Sequence, residues 1–215
     1  MRRELTTSLM GPIDPPDEAK GSLQLQSQLI VRSALQLGGG DPYHPTHSPS
    51  AGRKSPDILL ANGNSEYAIE VKSPRQSRSI LSRLDDARDQ LEGFGVSGGV
   101  VLDITDCVRD TSSGALEAQV RKLALSLYDR IFVTGQGYRP GYERIMMAGV
   151  IVRRAWTTDE SERGAMVEVH TMSTIGIFAS ARGTHADRRA QWLRSTLEQG
   201  LERLYQTLGE RSVGS

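Results

Sequence analysis

The sequence predicts an α/β domain built on a central mixed sheet flanked by helices. Three observations carry that expectation. Apolar residues recur at helical spacing in separate stretches, a tight hairpin lies between the first two, and VVLDI reads as a strand buried on both faces. The first helical stretch runs from Ser22, with Leu25, Leu29, Ala34 and Leu37 apolar, and stops at Gly38–Gly40. Residues 41–56 carry Pro42, Pro45, Pro49 and Pro56 and read as a loop, with no visible strand ahead of the hairpin. Two short apolar runs follow, Asp57–Leu60 and Tyr67–Lys72, separated by ANGNSE, in which Asn62-Gly63 and Gly63-Asn64 are both hairpin-turn pairs.

Ile80, Leu84, Ala87 and Leu91 then share one helical face. Gly98-Gly99 introduce VVLDI, and helical spacing returns at Leu116, Val120, Leu123, Leu127 and Ile131. The loop GQGYRPG leads into the strand IMMAGVIVRRAW, a further strand is expected at Ala165–Phe178, and the last helix carries Leu193, Leu197, Leu201, Leu204 and Leu208. Residues 1–21, with Pro12, Pro15 and Pro16 and no period, read as a flexible arm, and 22–212 as a single domain.

Composition narrows the function classes. The 215 residues carry 26 basic and 26 acidic side chains, so bulk charge does not make this a coat for nucleic acid, and any such binding needs a local patch. Cys107 is the only cysteine, which excludes an intramolecular disulfide and a cysteine-based zinc site. The N-terminus lacks the apolar core of a signal peptide, and the run Met146–Val152 is too short to span a bilayer. The expectation is a soluble, cytoplasmic protein.

The chemistry gathers in SPDILLANGNSEYAIEVKSP. Strand alternation puts Ala68, Glu70 and Lys72 on one face and Tyr67, Ile69 and Val71 on the other. A turn on Gly63-Asn64 sets Asp57 opposite Glu70; a turn on Asn62-Gly63 sets Asp57 opposite Ala68, with Glu70 diagonal. Either way two carboxylates come close, and they repel unless a cation or Lys72 neutralises them. A hard divalent ion accepts such a pair together with water and phosphate oxygens.

At these residues the chain resembles the restriction-endonuclease-like superfamily, whose PD-(D/E)xK motif is matched by Pro56-Asp57 and Glu70-Val71-Lys72. The resemblance covers roughly residues 22–105. It implies a restriction-endonuclease-like core and a metal site of Asp57, Glu70 and the Val71 carbonyl, with Mg2+ as the ion and Mn2+ as a substitute. It further implies that Lys72 acts on the attacking water and that Gln90 on the following helix completes the catalytic set. The function so implied is a metal-dependent nuclease, with DNA as the favoured partner and room for a homodimer. The alternative is a nuclease-fold protein that binds nucleic acid or protein with catalysis weak or lost. Gln28 stands where many members carry a first-helix glutamate, and an amide is the poorer metal ligand. Arg53, Lys54, Arg75 and Arg78 flank the motif as candidate phosphate contacts. His44 and His47 lack further zinc ligands, and GQGYRPG lacks the lysine and Ser/Thr of a P-loop. Asp103 is expected either to border the site or to cap a turn.

Overall fold

The computed structural model describes residues 20–44, 55–108, 113–133, 137–158, 166–178 and 185–212. Helix α1 (Lys20–Leu37) precedes a six-stranded sheet with the order β1-β2-β3-β4-β7-β8, formed by Asp41–Tyr43, Ile58–Asn62, Ser65–Lys72, Gly98–Asp103, Ile145–Thr158 and Met166–Phe178. Helix α2 (Ile80–Phe94) connects β3 to β4, and α3 (Ser113–Ile131) lies between β4 and β7. A two-stranded ribbon, β5 (Phe132–Val133) with β6 (Gly137–Tyr138), follows α3, and α4 (His185–Ser212) closes the order. The sheet is mixed: β3, β4 and β7 run parallel, and the pairs β1/β2, β2/β3 and β7/β8 are antiparallel. The α/β class and the helix-flanked mixed sheet are therefore as expected.

Each face of the sheet buries a separate apolar layer. Leu59, Ala68, Val100, Leu102, Ala148 and Val150 pack with residues of α2 and α3. Ile58, Tyr67, Ile69, Val71, Val101 and Ile151 pack with residues of α1 and α4. Alternation along β3 and β4 produces this split, and β4 is buried at every position, as a strand covered on both sides requires. Ile80, Leu84, Ala87 and Leu91 are the buried face of α2, in agreement with their spacing.

Two features depart from the sequence reading. The segment expected to be loop throughout holds β1, three residues long, whose Pro42 pairs with Leu60. Proline is admissible there because β1 is an edge strand, and an edge residue can dispense with a donor. On α1 the buried face is Ser27, Ile30, Val31, Ala34 and Leu35, whereas Leu25 and Leu37 are exposed. Gly38 and Gly40 donate to the Ala34 and Leu35 carbonyls and stop the helix where expected. The expected arm lies, up to residue 19, outside the described residues.

Helices α2 and α3 are tied by Asp85, which accepts from Arg130 Nε at 3.1 Å and from the Tyr142 hydroxyl. Burial pushes this carboxyl up, but the Arg130 and Tyr142 hydrogen bonds and the Arg130 and Arg88 charges outweigh it and hold it below its ordinary value. Arg130 is 46 % exposed and screened, so Asp85→Ala is expected to cost only about 1 kcal/mol in urea unfolding. An unchanged midpoint would show that the link contributes nothing.

Candidate functional site

The hairpin turns at Gly63-Asn64, where Gly63 takes φ +56, a conformation most side chains avoid. Ile58 consequently faces Ile69, and Leu59 faces Ala68. Continued by one residue, this register sets Asp57 opposite Glu70, the first of the two alternatives open in the sequence. Glu70 is fully buried, and its Oε2 accepts from Lys72 Nζ at 2.7 Å. Lys72 Nζ also lies 4.0 Å from Asp57 Oδ2 and donates to Gln90 Oε1 on α2. The structure thus brings Asp57, Glu70, Lys72 and Gln90 together at the end of β3.

Asp57 is held from two sides. Gln28 on α1 donates to Oδ1 at 2.7 Å, and the Val71 amide donates to Oδ2 at 2.8 Å. Burial raises the Asp57 carboxyl above its ordinary value, opposed by Lys72, the Val71 amide, Gln28 and His44. Burial likewise pushes Glu70 from 4.5 up to about 7, with repulsion from Asp57 adding and attraction to Lys72 opposing. A buried acid at that value changes charge within the physiological range, which is characteristic of a functional position. Glu70 Oε1 has no hydrogen-bond partner among the described residues. An orphaned, fully buried carboxylate oxygen carries a penalty that a ligand would relieve.

The remaining expected positions divide. The Val71 carbonyl accepts from Gln24 Nε2, so one of its two lone pairs is already engaged. Arg75 and Arg78 are exposed, and Arg78 donates to Gln76 at 2.8 Å. Arg53, Lys54 and His47 lie outside the described residues. Asp103 takes the second of its two expected places: it caps the turn through Thr105, and its Oδ2 accepts from Ser27 at 2.7 Å. Gln24, Ser27 and Ser73 had no sequence signal, since polar side chains on a helix or just past a strand ordinarily face solvent. Trp192 packs on Tyr67, with ring centroids 5.5 Å apart, as an anchor of α4.

Two carboxylates with water suit a hard ion such as Mg2+, and among the described residues no group of three or more His, Cys, Asp or Glu converges to make a closed cage. The donor set fits an ion that completes its shell from solvent and substrate oxygens.

Over 170 residues the chain is 28% identical to the UDP-N-acetylmuramoyl-L-alanyl-D-glutamate–2,6-diaminopimelate ligase of Xanthomonas campestris pv. campestris strain 8004, a match covering 75% of the chain and 34% of the ligase. A protein of the same name from Xanthomonas oryzae pv. oryzae strain MAFF 311018 is 29% identical over 140 residues, covering 62% of the chain and 27% of the ligase. The chain spans about a third of the length of these curated relatives. No family model matches. No solved structure matches.

These relatives overturn the nuclease expectation. They are named as ligases of a UDP-linked muramoyl peptide, so membership of the restriction-endonuclease-like superfamily, the nuclease activity, the nucleic-acid partner and the alternative binding-module reading are all corrected. The physical reason the motif misled is that a carboxylate pair beside a lysine is suited to a cation and an anionic substrate in general. It does not specify a phosphodiester. No helix among the described residues is long and apolar enough to cross a membrane.

Proposed function

We propose that the chain is a cation-holding, substrate-binding unit of a ligase that acts on a UDP-linked muramoyl peptide. The observation that carries this reading is the buried Glu70 carboxylate, with Oε1 unpartnered, set beside Asp57 and Lys72. The ligase names of the curated relatives supply the substrate class.

The diphosphate of a UDP-linked substrate is strongly anionic, and a pair of carboxylates alone would repel it. Mg2+ held by Asp57 and Glu70, with the second lone pair of the Val71 carbonyl as a further donor, would neutralise that charge. Lys72 presents an ammonium already oriented by Glu70 and Gln90, so little ordering remains when it meets an anionic oxygen. Gln28 and the Val71 amide keep Asp57 from turning away. The half-buried setting strengthens each of these charge interactions relative to water.

Equilibrium binding of UDP-N-acetylmuramoyl-L-alanyl-D-glutamate in the presence of Mg2+ tests this. The unaltered protein is expected to bind, and Lys72→Ala to weaken binding by roughly tenfold or more, the worth of one charged hydrogen bond. No binding by the unaltered protein at millimolar ligand, or equal binding by the variant, would remove the reading.

A further inference from the structure

Behind the carboxylates a set of polar contacts runs from α1 to the ends of β3 and β4. Gln24, Ser27 and Gln28 stand three and four residues apart, so they share one face of α1. Gln24 donates to the Val71 carbonyl through Nε2, and its Oε1 accepts from the Ser73 amide at 3.2 Å. The single amide group thereby clasps the backbone on both sides of Lys72. Ser27, fully buried, bonds the Ser73 hydroxyl at 2.8 Å and donates to Asp103 Oδ2 at 2.7 Å. Gln28 holds Asp57.

Asp103 is 2 % exposed, and its other oxygen accepts from the Thr105 amide at 3.1 Å and from the Thr105 hydroxyl at 2.6 Å. It therefore fixes Ser27 to the end of β4. Gln28 ends on Asp57 and Gln24 on the backbone either side of Lys72, while Ser27 ends on the Ser73 hydroxyl and on Asp103. A helix that merely packed on the sheet would place apolar side chains here, as α1 does further along with Ile30, Val31, Ala34 and Leu35.

We propose that Gln24, Ser27 and Gln28 form a positioning clamp for the cation site, with Asp103 as its buried anchor. The proposal rests on the cation-site reading above. The clamp sets the direction of the Val71 carbonyl and of Asp57, and holds the backbone that carries Lys72 at its spacing from Glu70. Contacts of this kind behind metal ligands are typically worth about 10–100-fold in metal affinity.

The test compares the unaltered protein with Gln24→Leu and Ser27→Ala, by Mn2+ affinity from electron paramagnetic resonance and by hydrogen exchange of the Val71 and Ser73 amides without metal. Each variant is expected to lose about tenfold in Mn2+ affinity while keeping its melting temperature within a few degrees. Ser27→Ala removes no contact to the Val71 amide, yet exchange there is expected to quicken as the clamp loosens. Gln24→Asn, which retains an amide, should recover part of the affinity that Gln24→Leu loses. Unchanged Mn2+ affinity in both variants would overturn the clamp and leave the cation site standing. If the unaltered protein binds no Mn2+, the cation site falls. The clamp, defined by that site, falls with it; where Mn2+ binds, unchanged exchange in Ser27→Ala overturns the clamp.

Discussion

Glu70→Gln is expected to melt several degrees above the unaltered protein at pH 8 and close to it at pH 4. Burial raises the Glu70 carboxyl to about 7 from an ordinary 4.5. Below about 4.5 the group is protonated both folded and unfolded, and its contribution to stability is complete. Between 4.5 and 7 the unfolded chain releases its proton first, so folding loses ground as pH rises, and above 7 the loss is complete. Each tenfold change in acidity is worth about 1.4 kcal/mol, which puts the loss on the order of 3 kcal/mol. Glutamine keeps the shape and an acceptor for Lys72 without the buried charge. Mg2+ at pH 8 is expected to stabilise the unaltered protein and not the variant, because an ion that binds only the folded state shifts the balance toward it. Melting curves from pH 4 to 8, with and without Mg2+, check both parts. Parallel pH curves for the two proteins would refute the burial argument.

Gly200→Ala is expected to be the most damaging single-methyl change among the described glycines of the helices. In the interior of α4 an alanine would normally stabilise by about 1 kcal/mol, since glycine is the poorer helix former. Here the added Cβ would meet the Ala34 carbonyl oxygen at 1.6 Å and its carbon at 2.4 Å. Those are backbone atoms of α1 and cannot rotate away, so the two helices must separate. Separation opens the layer formed by Ile30, Val31, Ala34 and Leu35 against Ala190, Leu193, Leu197 and Leu201. Overpacking of this sort costs about 1–3 kcal/mol and more where backbone must move, which outweighs the propensity gain. The natural control is Gly93→Ala on α2, where nothing stands within 4 Å of the new carbon and a small stabilisation is expected. Urea unfolding of both variants decides it: a Gly200→Ala protein as stable as Gly93→Ala would mean that α1 and α4 do not approach so closely. Because α1 also carries Gln24 and Gln28, the damaging change should loosen the site as well.

How far these features can be read in the sequence depends on the kind of interaction that fixes each one. The hairpin was legible because Asn62-Gly63 and Gly63-Asn64 are both turn pairs, but the choice between them, and with it whether Asp57 faces Glu70 or Ala68, comes from the register itself. Helix α2 was legible because its buried face is wholly apolar at Ile80, Leu84, Ala87 and Leu91. Helix α1 was misjudged on its face because Leu25, at 54 % exposure, and Leu37 reach solvent while Ser27 is buried by its bonds to Asp103 and Ser73. Hydrophobic spacing cannot see a polar residue whose partners lie 46 and 76 positions away. Strand β1 escaped because a proline in three residues reads as loop unless the strand is known to lie at an edge. The site residues converged as a cluster, but the same carboxylate–lysine arrangement serves several anionic substrates, and its chemistry was read too narrowly.

The central question is whether Asp57 and Glu70 hold a divalent ion to which a UDP-linked muramoyl peptide binds. Mn2+ titration followed by electron paramagnetic resonance, with and without UDP-N-acetylmuramoyl-L-alanyl-D-glutamate, measures this. The expected result is one bound ion in the unaltered protein, tighter in the presence of the nucleotide-linked peptide and tighter as pH rises toward 7, with binding lost in Asp57→Asn. A protein that takes up no Mn2+, or takes it up equally after Asp57→Asn, would contradict the account.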